Sequence, residues 1–490
     1  MRPLVVVTQD TETELEQSRH ETVAPILGAP ATVSERAQKI DFLQSISVPP
    51  LIDLPNRRSI LLIVVDALNA SHMGVYGYHR NTTPNLDTIA REAVVFSNWT
   101  STSSWTRPAF TTILTGVPKS VHGMELTDKK LPSKLRTMAE RFKAKGYRTG
   151  AFVGNPLIQK KWGYNQGFEV FKDVSDYGDF PPATTVVKGA IDWLDTVLDT
   201  PFMGVLFLTD THAPYEAPKE SRTFSREYQD IITMPPREVT KPFSPNETEG
   251  IIAAYDDELH YADTQIGRLV DWLKSKGLYE NIAVVVTGDH GEIFGDHNCY
   301  QHAYHMWQPV LRVPFIVKSP DLKKAGMVDR LAGHLDTMPT LMHLAGLTQK
   351  TDFGNSVFDV DDVSKDNKIA VSAYDARGVK RQAARLGDLK LVRYEKVSPV
   401  AFEGKGKKSK IWMENPSLQL PGPRYELFDL DADPNELNNI FTAYDDRTIL
   451  EKLQRTLRSE KTGTQKHSEK SVNQLDDETL RALKAAGYID

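Results

Sequence analysis

From Ser59 onward, short apolar runs rich in Val, Ile and Leu alternate with longer amphipathic stretches. Buried parallel strands covered by helices produce this pattern, because a strand enclosed on both faces has no polar side to present. The runs at 60–65, 149–153, 203–208, 282–286 and 313–317 predict strands, and the intervening segments 85–92, 131–145, 183–198 and about 247–277 predict helices. Such an order gives an α/β fold with a mostly parallel, doubly wound sheet flanked by helices. Beyond about residue 370 the period changes to alternating strands at 383–395 and 425–430, separated by the basic segment EGKGKKSK (403–410). A small antiparallel subdomain is expected there, the basic segment forming either a solvated turn or a patch that steers anions.

The first 55 residues carry scattered acids and six prolines with no sustained period, which reads as an extension, surface-wrapped or partly disordered. The chain thus divides into an extension (1–55), a large α/β domain (56–370), a C-terminal α+β subdomain (371–445) and a helical tail (446–490). With 490 residues, 40% of them hydrophobic, it has ample material for a large core. A net charge of −6 is too mild for a binder of polyanions that works by bulk charge, so nucleic acid is not an expected partner. The single cysteine, Cys299, excludes an intramolecular disulfide framework and a Cys-rich zinc module. Apolar runs stop after five or six residues, so no membrane span is expected. The opening MRPLVVVTQDTETELEQ lacks the pattern of a signal peptide, and the expected location is the cytoplasm.

In open α/β sheets, ligands sit beyond the carboxyl ends of the strands. Three runs end in metal-type ligands: ILLIVV at Asp66, MGVLFLTDTH at Asp210 and His212, and IAVVVTGDHGE at Asp289 and His290. One such Asp commonly caps the next helix; three ends with two histidines suit a divalent cation. Carboxylate oxygens serve Mg, Ca or Mn, and imidazole extends the range to Zn, so the metal's identity stays open. Such a cation would act on an anionic ester as a Lewis acid and lower the pKa of a coordinated hydroxyl or water. The candidate hydroxyl is Thr106 in TSTSSWTRPAFTTILTG, just before a helix that Pro108 helps to start. The positive end of that helix would favour an anion there.

Seven segments then carry a resemblance: LLIVVDALNASHMGVYGYHRNTTPNLDTIAREAVVFSN, SSWTRPAFTTILTGVPKSVHG, HAPYEAP, YDDELHYADTQIGRLVDWL, VVVTGDHGEIFGDH, LRVPFIVKSP and YELFDLDADPNELNNI. In this order they resemble the sulfatase-like branch of the alkaline phosphatase superfamily, from Ser59 to the C-terminus. The resemblance implies the corresponding fold, a catalytic divalent metal on Asp66, Asp289 and His290, and Thr106 at the position of the family's nucleophile, itself within reach of the metal. It also implies that His212 and His302 face the substrate or leaving group, and it leaves Asp210 either a ligand of a second metal or a brace for its loop. His297 is open between a hydrogen bonder behind the site and a loop residue; His72 and His122 are expected to orient loops.

The departures are as informative. Formylglycine sulfatases carry Cys or Ser followed by x-Pro-x-Arg, whereas this chain has Thr106, Arg107, Pro108, Ala109 and Phe110. Threonine cannot yield the aldehyde, so no formylglycine is expected. The stretch that supplies a Lys and a His for the sulfate is VGNP (153–156), and the later sulfate-gripping lysine is Tyr304. These features imply a metal-dependent hydrolase that attacks a phosphodiester or phosphonate monoester through a covalent Thr106 intermediate, on a small-molecule or glycan- or lipid-linked anionic ester. The alternatives are a sulfuric ester hydrolase without formylglycine, a phosphotransferase, and a non-catalytic protein that binds an anion or glycan.

Overall fold

The computed structural model describes residues 43–49, 51, 57–125, 129–178, 180–237, 239, 241–302, 304–347, 351–359, 368–376, 379–396 and 424–459. Eight strands form the main sheet: β1 (Ile60–Val65), β2 (Val94–Thr100), β3 (Arg148–Val153), β4 (Val170–Lys172), β5 (Phe202–Leu208), β6 (Ala283–Gly288), β7 (Arg312–Lys318) and β8 (Gly326–Gly333). Their order is β8-β2-β7-β6-β1-β5-β3-β4. Neighbours run parallel except at β7, which is antiparallel to both β6 and β2. The five strands expected from the sequence all lie in this sheet; β2, β4 and β8, which carry polar or glycine residues, were not expected.

Burial explains the apolar runs. Strand β1 is enclosed along its whole length. Leu61, Ile63 and Val65 face one core layer, and Ile60, Leu62 and Val64 face the other. The first layer contains α4 (Ala183–Leu194) and the 31-residue α5 (Pro245–Ser275), which opens with Pro245 and a capping box between Ser244 and Glu247. The second contains α2 (Thr106–Thr115), α3 (Met138–Lys143) and α6 (Thr337–Leu344). Helix α1 (Pro84–Ala90) packs in the first layer. The helix expected over 131–145 is shorter because Thr137 and Glu140 close a capping box that starts it only at Met138.

A second sheet of four antiparallel strands, β9 (Ile369–Ala376), β10 (Val379–Leu386), β11 (Leu389–Lys396) and β12 (Arg424–Asp429), follows. The single strand expected over 383–395 is in fact β10 and β11, folded back at Gly387, whose φ of +55° permits the turn. Alternation gives this sheet two buried faces. Ala383, Val392 and Phe428 pack with Trp105, Leu157 and Tyr304 of the main domain, while Ala384, Leu391 and Leu427 pack with Leu450, Leu453 and Leu457 of α7 (Arg447–Ser459). The basic segment 403–410, the end of the chain beyond 459 and most of the extension over 1–55 lie outside the described residues; of that extension, the segment at Ser45 bridges to Met327 on β8.

Candidate active site

Register places the first two ligands side by side. Val65 pairs with Gly288 across β1 and β6, so Asp66 and Asp289 leave adjacent strands at the same level. His290 follows directly. Oxygens of the two carboxylates and a nitrogen of His290 lie within 4.8 Å of one another, and all three residues are fully buried. Nε2 of His290 is 3.4 Å from Asp66 Oδ1 and 3.5 Å from Asp289 Oδ2. Its Nδ1 lies 2.9 Å from the carbonyl of Gly291. A carbonyl only accepts, so the proton sits on Nδ1 and the lone pair of Nε2 points to the carboxylates.

The carboxylates are themselves held. Asp289 Oδ1 accepts the backbone N–H groups of His290 (2.7 Å) and Ala67 (3.2 Å). Its Oδ2 is buried without a hydrogen-bond partner among the described residues. Asp66 Oδ2 accepts from Asn155 Nδ2 at 2.5 Å, and the carbonyl of Asp66 accepts from Thr211 Oγ1. Burial, then the like charge of Asp289, pushes Asp66 well above the usual carboxylate range, although His290, Asn155 and Thr106 pull it back. Burial also pushes Asp289 up to about 7. Two buried acids, one orphaned oxygen and an imidazole with its lone pair turned inward form a donor set that fits a divalent cation.

Thr106 is the first residue of α2, with Trp105 as its N-cap. Its Oγ1 lies 3.3 Å from His290 Nε2 and 3.5 Å from Asp66 Oδ1. The hydroxyl thus joins the cation-binding group at the positive end of a ten-residue helix. Neighbouring Arg107 points into the fold, where its guanidinium lies over Trp162 and Tyr164 and donates to the carbonyl of Lys129.

His302 and His212 follow on from His290 in a row of rings. The ring of His302 is 4.2 Å from that of His290 and 4.9 Å from that of His212, centroid to centroid. Both are buried. Desolvation lowers His212 to about 3, and desolvation with the neighbouring imidazoles holds His302 well below its ordinary value.

Asp210 is outside the group of close ligands among the described residues; its Oδ1 accepts the N–H of Ala183 at the start of α4, and its Oδ2 is buried with no hydrogen-bond partner among the described residues. His297 Nε2 donates to the carbonyl of Asn435 at 3.1 Å, and its ring stacks on Trp307. His72 pairs with Asp256, and His122 bridges Thr112 and Met124 beneath α2. Sequence reasoning passed over Asn155, Ser101 and Glu292. Ser101 Oγ lies 2.6 Å from the carbonyl of Asp289, and Glu292 lies 3.1 Å from His302. Asn155 stood in the VGNP segment already noted for its missing lysine, and Glu292 stands in the quoted TGDHGE run; their positions were visible, their contacts were not.

The comparisons agree with this architecture. The family model described as Sulfatase matches residues 58–347. The ulvan-active sulfatase of Formosa agariphila is 28% identical over 326 residues, 60% of this chain and 63% of that protein, so the match spans less than two thirds of that relative. Lipoteichoic acid synthase 1 of Bacillus subtilis is 28% identical over 186 residues, 35% of this chain and 26% of that protein. Among solved structures, the phosphonate monoester hydrolase of Agrobacterium radiobacter superposes with a TM-score of 0.64 at 17% identity, covering 82% of this chain and 95% of that one. Among the described residues no helix is long and apolar enough to cross a membrane. With the family match over more than half its length, the chain belongs to the sulfatase family.

Proposed function

We propose that the chain hydrolyses a phosphodiester or phosphonate monoester, on a small molecule or a glycan- or lipid-linked group, through a covalent Thr106 intermediate. One observation carries this reading: the Thr106 hydroxyl stands within 3.5 Å of both Asp66 and His290 at the start of α2. A divalent cation (Mg, Ca, Mn or Zn) held by Asp66, Asp289 and His290 would supply Lewis-acid stabilisation of the anionic ester and favour ionisation of the nearby hydroxyl.

In the first half-reaction Thr106 loses its proton to solvent and its Oγ1 forms a bond to phosphorus. The bond to the leaving oxygen breaks with its electron pair, and that oxygen takes a proton from His302 or His212. Burial keeps these rings neutral in the free protein, and the negative charge of a bound ester favours their protonation. In the second half, water attacks phosphorus and gives a proton to the histidine, and the bond to Oγ1 breaks with its electron pair, Thr106 regaining from solvent the proton it lost in the first half. Phosphorus is favoured over sulfur because a plain hydroxyl suits attack on phosphorus, while Phe110, Asn155 and Tyr304 stand where the formylglycine enzymes carry other groups. The second reading is a sulfuric ester hydrolase, favoured by the likeness to the ulvan-active sulfatase.

The test is turnover by metal-reconstituted protein on four matched nitrophenyl esters (phosphate diester, phosphate monoester, phosphonate monoester and sulfate), with Thr106→Ala as control. A phosphorus ester turned over by the native chain and lost in Thr106→Ala supports the proposal. Sulfate as the preferred ester assigns the second reading, and unchanged activity in Thr106→Ala removes Thr106 as nucleophile.

A further inference from the structure

Glu292 is fully buried, yet both of its carboxylate oxygens have partners. Oε2 accepts the hydroxyl of Tyr215 at 2.9 Å, and Oε1 lies 3.1 Å from Nδ1 of His302. Tyr215 is itself packed against Tyr255 and Phe294, with ring centroids 5.7 and 6.2 Å away, so the phenol has a fixed direction. An ionised Glu292 only accepts hydrogen bonds; the geometry then puts the proton of His302 on Nδ1 and leaves Nε2 as the nitrogen offered to a ligand. His212 presents the same nitrogen by a different restraint, its Nδ1 donating to the carbonyl of Ala213 at 2.6 Å. That carbonyl belongs to the next residue on the same loop. The restraint on His302 comes from Glu292, ten positions earlier in the chain, so its ring is tied to the segment that also carries Asp289 and His290.

We infer that Glu292, braced by Tyr215, is a positioning residue that locks the ring of His302 with Nε2 turned toward the ester's departing oxygen. The inference rests on the reading of His302 as a leaving-group residue. Orienting carboxylates fix the tautomer of a reactive imidazole in the same way elsewhere, and loss of a supporting hydrogen bond of this kind commonly costs 10-fold to 100-fold.

The experiment pairs a spectroscopic readout with a kinetic one. Histidine-labelled protein, with His302→Gln to assign the signal, reports by nitrogen NMR which ring nitrogen of His302 carries the proton. Turnover is measured on a nitrophenyl ester and on the matching phenyl ester, whose leaving oxygen is more basic. Glu292→Ala is expected to lose the Nδ1–H tautomer, to lower kcat on the phenyl ester about 100-fold and on the nitrophenyl ester much less, and to leave KM and metal content near those of the native chain. Glu292→Gln, which keeps an acceptor oxygen, restores the tautomer and most of the rate. Tyr215→Phe removes only the brace and gives a smaller loss in the same sense; it also serves if Glu292→Ala does not fold. Retention of the Nδ1–H tautomer in Glu292→Ala, or an equal loss on both esters with no recovery in Glu292→Gln, overturns the inference. Failure of the underlying reading is seen separately, as turnover in His302→Gln that is unchanged, or lowered equally on the two esters.

Discussion

Asn155 holds the outer oxygen of Asp66: its Nδ2 lies 2.5 Å from Oδ2, while its own Oδ1 accepts the N–H of Leu157 at 2.7 Å. The amide is therefore oriented before any cation arrives. Asn155→Ala is expected to weaken divalent-cation affinity by about 10-fold to 100-fold, the usual effect of removing a group that orients a ligand. Metal titration of the purified variant checks this; unchanged affinity would mean that Asp66 is held well enough by its backbone contacts alone.

Thr106 and serine share a hydroxyl but differ by one methyl. Thr106→Ser is expected to keep turnover within about 10-fold of the native chain, whereas Thr106→Ala loses at least about 1,000-fold, because a nucleophile deletion removes the covalent path altogether. Single-turnover kinetics with mass detection of a modified peptide spanning Thr106 distinguishes the two variants. Equal loss in both would point to a packing role for the methyl group.

The metal-free protein is expected to lose stability as pH rises. A carboxyl that titrates near 4 in the unfolded chain is pushed up to about 7 at Asp289, and Asp66 is also raised, by burial first and by their mutual repulsion at Asp66. A folded-state pKa above the unfolded one contributes stability that is complete below about pH 4 and is lost as pH climbs through about 7. Cation binding needs the ionised carboxylates and compensates their charge. Melting curves of stripped and loaded protein should therefore diverge between about pH 5 and 8, the gap widening upward. Parallel curves would mean that these acids are not the ligands.

Asp210 caps α4 through the N–H of Ala183. Asp210→Ala is expected to cost about 1 kcal/mol of stability, as loss of an N-terminal cap does, with no change in metal content. Elemental analysis alongside denaturant melts separates the two effects; a depleted metal would restore Asp210 to the ligand set.

Leu453 on α7 is completely buried against the outer face of the second sheet. Leu453→Ala is expected to destabilise the fold by about 2–5 kcal/mol through lost burial and the cavity left behind, measured by urea unfolding. A cost below about 1 kcal/mol would mean that α7 frays from the sheet without consequence.

The interior strands were legible because full burial writes an unbroken apolar run, as in Ile60–Val65. Strand β2 was not, since Ser97 and Asn98 interrupt it where it is partly exposed. The antiparallel insertion of β7 between β6 and β2 left no local sign, because direction is set by how the chain returns and not by side-chain pattern. The residues at strand ends were readable as candidate ligands for the reason that makes them neighbours: equal strand level across β1 and β6. What supports them was not. Asn155 reaches Asp66 across 89 positions of sequence, and Tyr215 reaches Glu292 across 77, contacts that only the folded chain creates.

The second sheet also touches the loop before Thr106. Ala373 donates its N–H to the carbonyl of Thr102 at 2.9 Å, and Ser372 Oγ donates to that of Ser101 at 2.5 Å, across 271 positions of sequence. On the ribosome, Ser101 emerges long before its partner. Throughout that interval the cation ligands can assemble while the loop that carries the hydroxyl lacks its final restraint. The loop before Thr106 thus receives these two restraints only after β9 has been made.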